Sequence, residues 1–356
     1  MPDHLNRRRL LARAAASLAS ASGLRPGRAQ AQTPTPDTVS VGIVHSTSET
    51  PLFIADKLGY FRDENIVVNF VGFDAAARMI PSLGAGQLDV ATGAPSAGLY
   101  NAIARGIEMK IVADKGSTPK GYGYAPILVR RALVDSGRYK TLKDLKGMRV
   151  AESAPGTAQA LIIARALGSV GLAYSDVEHV YLGFPEHQVA FANGSIDASV
   201  TVEPTATLTI RAGSAIRAIG DDVVYPNQEL AVILYGGNFI KKSPALGLRF
   251  MRAYIRGSRF YNDALRAGKL AGPTARDVIA IIAEYTPVKT AELITAMTPN
   301  GNDPNGRLNV ASLAADLRFF REQGLIEGSV IIDRAVDTSF VDRAIRTLGP
   351  YRPRQR

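Results

Sequence analysis

Two stretches about a hundred positions apart constrain this chain more than any other feature. "SLGAGQLDVATGAPSAG", residues 82–98, and "FANGSIDASVTVEPTA", residues 191–206, both write a small residue, Gly, a polar residue, Leu or Ile, Asp, and a short apolar run closed by Pro. Locally each reads as the end of a helix, a Gly-centred turn and a short buried strand whose exit Pro blocks. A chain that uses this supersecondary unit twice has two similar sheets. Asp89 and Asp197, which end the helix-turn units, read as structural.

The surrounding pattern agrees. Strands are expected at "TVSVGIVHS", "VVNFVGF", "LDVATGAP" and "MKIVADK", with helices at 51–58 (closed by Gly59), at 74–86 (interrupted by Pro81) and at 96–106. Strands joined by helical crossovers make parallel, doubly wound sheets. After "GSTPKGYGYAP", which has linker character, the pattern restarts with "ILVRR" and runs to "TATLTIRAG". From about Leu230 the chain changes again: "ELAVILYGGNFI" reads as a strand and the rest as mostly helix. In "NVASLAADLRFFREQG", Asn309 is a candidate N-cap, Leu313, Leu317 and Phe320 share one face, and Gly324 ends the helix. The expected division is 1–31 leader, 37–117 lobe one, 118–228 lobe two, 229–350 a return to lobe one with C-terminal helices, and 351–356 a basic tail.

The leader reading rests on three parts in order: Arg7, Arg8 and Arg9, a weakly apolar stretch from Leu10 to Leu24, and Ala29-Gln30-Ala31 before Gln32. Asn6-Arg7-Arg8-Arg9-Leu10-Leu11 resembles a twin-arginine export signal, and the dilution of the apolar stretch by Ala, Ser and Gly favours that route. The leader also explains much of the basic balance. Residues 1–31 hold six Arg and one Asp, so of 42 basic and 32 acidic side chains the remainder keeps 36 and 31. No Lys/Arg stripe interleaved with aromatics remains to make a nucleic-acid groove. The apolar fraction of 46%, with 21% charged, belongs to a folded globular chain, and no run approaches the ~20 apolar residues of a membrane span. There is no Cys. That excludes disulfides, a thiolate metal site, a Cys nucleophile and a lipidated Cys at a mature N-terminus. His179 and His187 stand too far apart for a helix-spaced metal pair, so no metal and no cofactor are expected.

In open parallel sheets the loops after the strands gather at one edge, and two such edges face to face form a clamshell cleft. The candidate loops are Ser46-Thr47-Ser48, Phe73-Asp74-Ala75, Ala94-Pro95-Ser96, Ala154-Pro155-Gly156-Thr157 and Glu203-Pro204. Several precede a helix, whose positive end favours an anion. Gly93, Pro95, Gly156 and Pro204 serve either as turn formers or as cleft wall, and Ser46, Thr47, Ser96 and Thr157 as helix caps or ligand contacts. His45 is the one histidine placed to see a ligand. Closure would turn on the crossings near 116–125 and 221–229.

Taken together, "TPLFIADKLGYFRDENIVVNFVGF", "GAGQLDVATGAPS", "LKDLKGMRVAESAPGT", "GSIDASVTVEP", "DPNGRLNVASLAADLRFF" and "DTSFVDRAIRTLG" resemble the solute-binding components of ABC importers in the nitrate, taurine and alkanesulfonate group. That group shares its fold with the pyrimidine-precursor proteins of thiamine synthesis. The resemblance, spanning Val39 to Gly349, implies an α/β fold of the type II periplasmic binding protein kind, two lobes closing like a flytrap, with a helical C-terminal segment. By family position it implies a ligand site at Ser46 to Thr50, Phe73 to Ala75, Ala94 to Ser96, Pro155, Gly156, Thr157, Ala158 and Glu203.

It also implies capture of a small ligand without a covalent step, delivery to an ABC permease with its ATPase, and a freely diffusing periplasmic monomer. The fold's synthases rely on a Cys-rich motif that this chain lacks; a ligand-sensing subunit is the third class. For the ligand, a sulfonate- or carboxylate-type organic anion stands beside an amino-bearing heterocycle, and the choice rests on whether Asp74 and Glu203 face the cleft. The leader reading makes a direct prediction. Replacing Arg7 and Arg8 by Lys should stop export in fractionated cells, and arrival of the variant outside the cytoplasm by the general route would reject the twin-arginine assignment.

Overall fold

A computed structural model describes residues 35–354; the leader and its arginines lie outside that range. Ten strands form two five-stranded sheets of the same design. The first contains β1 (Asp37–Ile43), β2 (Ile66–Gly72), β3 (Val90–Gly93) and β4 (Met109–Ser117). The second contains β5 (Ile127–Arg130), β6 (Arg149–Glu152), β7 (Glu178–Tyr181), β8 (Ala198–Val200) and β9 (Ala215–Ile219). β10 (Glu229–Gly236) comes back from the second lobe to complete the first sheet. The orders are β2-β1-β3-β10-β4 and β7-β6-β8-β5-β9.

The pairs formed across helical crossovers are parallel, but each sheet contains one strand that runs against both its neighbours, β10 in the first and β5 in the second, so half of the pairs are antiparallel. The reason is topological. β10 and β5 follow a passage between lobes instead of a crossover helix, so they enter their sheets from the opposite end. This moves the start of the internal repeat. The counterpart of β1 is β6, not the "ILVRR" strand, because β5 fills the place that β10 holds in the other lobe.

The repeated Asp does the same work twice. Asp89 donates its N–H to the Ser40 carbonyl (3.0 Å) and accepts the Ser40 N–H on Oδ2 (2.9 Å). Asp197 donates its N–H to the Arg149 carbonyl and accepts the Arg149 N–H on Oδ2 (3.1 Å). Each closes its turn onto the strand that runs between two parallel neighbours in its sheet, β1 or β6, so the two residues are structural, as expected. Asp197 adds an ion pair with the Arg149 Nε (3.0 Å) and one with Arg130 (2.9 Å). These contacts outweigh its burial and hold its carboxyl below the usual range.

The helix expected at 74–86 is shorter: a 3₁₀ turn at Ala76–Arg78 leads into Met79–Gly84, with Pro81 in the first turns, where its missing N–H costs nothing. The C-terminal helix is as read, Val310–Glu322, with Asn309 Oδ1 accepting the Ser312 N–H and Leu313, Leu317 and Phe320 buried. The 21-residue helix Pro244–Ala264 lies across the first lobe; Gly257 lets it approach the helix Thr50–Lys57, since a Cβ there would meet the Pro51 carbonyl at 2.1 Å. No helix among the described residues is long and apolar enough to cross a membrane.

The unequal partners of the two repeated carboxylates give an ordering. Asp197→Ala should cost about 2–3 kcal/mol, because two guanidinium contacts and a backbone donor are lost together, and Asp89→Ala about 1 kcal/mol less. Urea denaturation of both variants measures this, and equal losses would reject it. Because the Asp197 pKa is depressed on folding, its stabilisation is present above the ordinary carboxyl pKa and disappears as pH falls through the lower folded value.

Candidate functional site

The ends of the two sheets face each other across a cavity. From the first lobe it is lined by Val44, Ser46 and Ser48 in the loop after β1, by Ala76, by Gly93 and Ala94 after β3, by Lys115 on β4, and by Leu230 and Ala231 on β10. Tyr124 in the first crossing, Ser153 and Gln159 after β6, Phe184, and Val202 after β8 supply the rest. The enclosed free volume is only about 30 Å³, because the lobes touch around it. Three backbone bonds join them: Thr47 N–H to Glu203 O (3.1 Å), Ala97 N–H to Gly156 O (2.7 Å) and Phe184 N–H to Asp74 O (3.2 Å). The conformation is the closed one.

The loop after β1 is organised by a buried carboxylate. Glu49 accepts the N–H groups of Val44 (3.1 Å) and Ser46 (2.7 Å), lies 3.0 Å from Thr92 Oγ1, and pairs with the Lys115 ammonium at 3.0 Å. Glu49 and Lys115 are at most 1% exposed. Glu49 is thereby saturated, whereas Lys115 has three N–H donors and lines the cavity. Beside it Ser46 Oγ and Ser48 Oγ lie 2.7 Å apart, and the Tyr124 hydroxyl hydrogen-bonds Ser48. Burial pushes the Tyr124 hydroxyl well up, so it remains a neutral donor. Gly116 makes this convergence possible: a Cβ there would sit 3.0 Å from Tyr124 Oη and 3.1 Å from Ser48 Cβ.

The second lobe repeats the arrangement with a neutral hub. Gln159 Oε1 accepts the Ser153 N–H (3.0 Å) and the Ser153 hydroxyl (2.5 Å), and its Nε2 donates to the Val200 carbonyl (2.6 Å). Glu49 follows β1 as Gln159 follows β6, so the two loops are built alike and differ by one charge. The cavity therefore has one hydroxyl-rich end around Lys115 and an apolar flank formed by Val44, Phe184, Val202 and Leu230.

Of the residues singled out in the sequence, Ser46, Ser48, Gly93 and Ala94 line the cavity. The others surround it or face elsewhere. His45 is exposed and donates from Nδ1 to the Tyr285 carbonyl (3.2 Å), on the outer side of the first lobe. Thr47 turns its side chain to a small apolar cavity with Tyr261 and Met297. Phe73 packs into the first lobe's second core cluster, and Asp74 pairs with Arg78 at 2.7 Å. Ser96 caps the helix Ala97–Ala104 and bridges to Thr157 across the lobes; Pro95 is buried behind it. Pro155 is exposed, Gly156 and Thr157 belong to the interlobe contact, and the Ala158 carbonyl accepts from Gln228. Glu203 is absent from the cavity wall because its oxygens are occupied: they accept the N–H (3.0 Å) and hydroxyl (2.9 Å) of Thr207 and the Thr298 N–H (3.3 Å). Burial raises its carboxyl pKa, and the Thr207 donors counter the rise.

Lys115, Tyr124, Ser153, Gln159, Phe184, Val202 and Leu230 escaped the sequence reading. Lys115 sits within a strand, where a charged residue at a buried position is the available signal. Among the described residues no cluster of three or more His, Asp or Glu could hold a metal.

With this geometry in place, the comparisons identify the chain's family. Residues 32–275 match the NMT1-like family, and the chain belongs to it. A protein of Escherichia coli (strain K12) named for aliphatic sulfonate binding is 25% identical over 235 residues, 64% of this chain and 70% of that one. Among solved structures, the periplasmic nitrate-binding protein NrtA from Synechocystis PCC 6803 superposes with a TM-score of 0.72 at 14% identity, covering 89% of this chain and 90% of its own. The alkanesulfonate-binding protein SsuA from Xanthomonas axonopodis pv. citri, bound to MOPS, gives 0.67 at 20% identity over 86% and 99%. The desulfurization enzyme DSZB shares the fold at 0.58 and 17% identity, over 88% and 100%. The two-lobe periplasmic binding protein fold is thus the fold of this chain.

The lobe contact gives a mechanical prediction. A Cβ on Gly183 would lie 3.0 Å from Asp74 Cβ across the lobes, and Gly183 has an extended backbone that any residue adopts. Gly183→Val should hold the lobes apart, enlarging the radius of gyration in X-ray scattering while leaving thermal stability within about 1 kcal/mol of wild type. An unchanged radius would show that the seam yields.

Proposed function

We propose that this chain is the exported solute-binding component of an ABC importer, capturing a small organic anion in the interlobe cleft and presenting it to a permease driven by its ATPase. The observation that carries the reading is the Lys115 ammonium at the closed end of the cleft, grouped with the hydroxyls of Ser46, Ser48 and Tyr124 and facing an apolar flank. A carboxylate or sulfonate head accepts from such donors, and its organic part replaces water against Phe184, Val202 and Leu230. Family membership and the names of the relatives, which concern nitrate and sulfonates, support it.

The amino-heterocycle reading depended on a free cleft carboxylate. Glu203 is engaged with Thr207 and Thr298, and Asp74 with Arg78, and neither is among the residues of the cavity wall, which offers that reading no carboxylate. Ligand affinity includes the free energy of closure, and the closed surface is what the permease recognises. The protein performs no covalent step and works as a free monomer outside the cytoplasm, with residues 1–31 removed.

A thermal-shift screen of sulfonates, carboxylates and nitrate against neutral amides and sulfonamides of the same shape tests this. The true ligand at 100 times its Kd should stabilise by about 2.7 kcal/mol, and its neutral isostere should not. Removing Lys115 alone would leave Glu49 buried and unpaired, which costs about 3–5 kcal/mol. The informative variant is therefore the pair Glu49→Gln with Lys115→Met, which should fold yet bind the anion at least 10-fold more weakly by calorimetry. Unchanged affinity in that folded variant, or turnover of the ligand by the wild type, would reject the proposal.

A further inference from the structure

Outside the cleft, buried acidity gathers where the two crossings leave the first sheet. Asp114 on β4 and Glu229 on β10 are each 1% exposed, on adjacent antiparallel strands whose register is broken by irregularities at Glu229/Ala231 and Ala231/Val232. Two of their four carboxyl oxygens are served by the loop 298–309. Asp114 Oδ2 accepts the Asp303 N–H (2.5 Å) and the Asn302 amide (3.3 Å), and Glu229 Oε2 accepts the Asn309 N–H (2.7 Å). The remaining two, Asp114 Oδ1 and Glu229 Oε1, are buried without a hydrogen-bond partner. The two carboxyls are near enough to act on each other, and the Gly116 backbone acts on Asp114 as well. Two carboxylates are acceptors only, so they can satisfy each other only by sharing a proton.

No cation replaces that proton. Neither residue forms an ion pair among the described residues; Lys115, next on β4, is engaged with Glu49. The ionisable groups around the pair are Asp303 and Arg307 from the loop, Tyr254 from the long helix, whose hydroxyl donates to the Asp114 carbonyl, Tyr124 and Asp221 from the crossings, and Tyr100 and Asp316 from the helices Ala97–Ala104 and Val310–Glu322. Beside the pair an open cleft of about 530 Å³, lined in part by Ser117, Asn227 and Arg307, reaches solvent at the crossings.

We propose that the closed protein holds one proton between Asp114 Oδ1 and Glu229 Oε1, and that loss of this proton loosens the hinge. Glu229 is the acid and Asp114 the acceptor, since Asp114 has the additional amide donors. Burial pushes both carboxyls upward, and the Asp114 charge pushes Glu229 further. When the proton leaves, two like charges face each other in a dry site. The nearest relief is parting of the strand ends where Ser117 and Glu229 meet, admitting water from the adjoining cleft. Because both folded pKa values are raised, the stabilisation is complete below the ordinary carboxyl pKa and is lost as pH rises through the folded values.

The test compares the mature chain with Glu229→Gln, whose amide donates to Asp114 as the acid does and whose oxygen still accepts from Asn309, and with Asp114→Asn as a second variant. Melting without ligand between pH 5 and 9 should show the wild type losing stability with rising pH more steeply than Glu229→Gln, opening a gap of roughly 2–4 °C in favour of the variant at pH 8.5. The comparison cancels the buried Asp221 and Asp316, which titrate in the same range in both proteins. X-ray scattering over the same pH series should show the wild type expanding and the variant constant. The infrared carboxylic-acid band that fades on alkalinisation should be larger in the wild type than in Glu229→Gln or Asp114→Asn, because Asp221 and Asp316 contribute to it equally in all three. Parallel melting profiles, a band no larger in the wild type than in the variants, or expansion shared equally by wild type and variant would each overturn the proposal. Stabilisation by calcium chloride of the wild type alone would overturn it too, since a cation would then bridge the carboxyls.

Discussion

Most of what this protein does structurally depends on the double passage of the chain between its lobes. Because β10 returns from the second lobe to complete the first sheet, that sheet is built from two separate stretches of chain, while the second, β5 to β9, is inserted between them. The lobes are therefore coupled along two adjacent extended segments, tied by the Thr118 and Asn227 backbone bonds and by Asp221 and Asp222 accepting from the Ala125 and Gly121 N–H groups. Such a connection resists shear and permits rotation, the motion a clamshell needs. It also sets which loops face each other across the cavity.

The electrostatics of the cleft follow from desolvation. A carboxylate as deeply buried as Glu49 persists only with a full set of donors, and it has two backbone N–H groups, a hydroxyl and an ammonium around it. The same contacts shape the loop after β1 and hold Lys115 with donors toward the cavity. Gln159 builds the matching loop of the other lobe without charge. One side of the cleft is thus electrostatically committed and the other is not, which is the asymmetry on which the proposed placement of an anionic head at the first lobe rests.

The parts of the molecule legible in the sequence were those governed by local rules. The repeated Gly-x-(Leu/Ile)-Asp unit marked both sheets, and Asp89 and Asp197 proved to be the same turn clamp. Asn309, Leu313 and Phe320 gave the C-terminal helix through capping and period. The loops after β1 and β3, expected at the cleft, contribute Ser46, Ser48 and Ala94 to the cavity wall. The outward turn of His45 toward Tyr285 and the engagement of Glu203 by Thr298 follow from neighbours 240 and 95 residues distant, which pattern does not report.

The sequence by itself determined two α/β lobes, because periodicity and turn chemistry act over a few residues and the repeat shows them acting twice. Tertiary structure alone decided that β10 and β5 run antiparallel to their neighbours, that Lys115 sits beside Ser46 and Tyr124, and that Asp114 meets Glu229. The physical reason is that each of these depends on segments distant in the chain being brought together, in the cleft and at the carboxyl pair into a water-poor space where a charge acquires its role from the partner it finds there and not from the residues beside it in the chain.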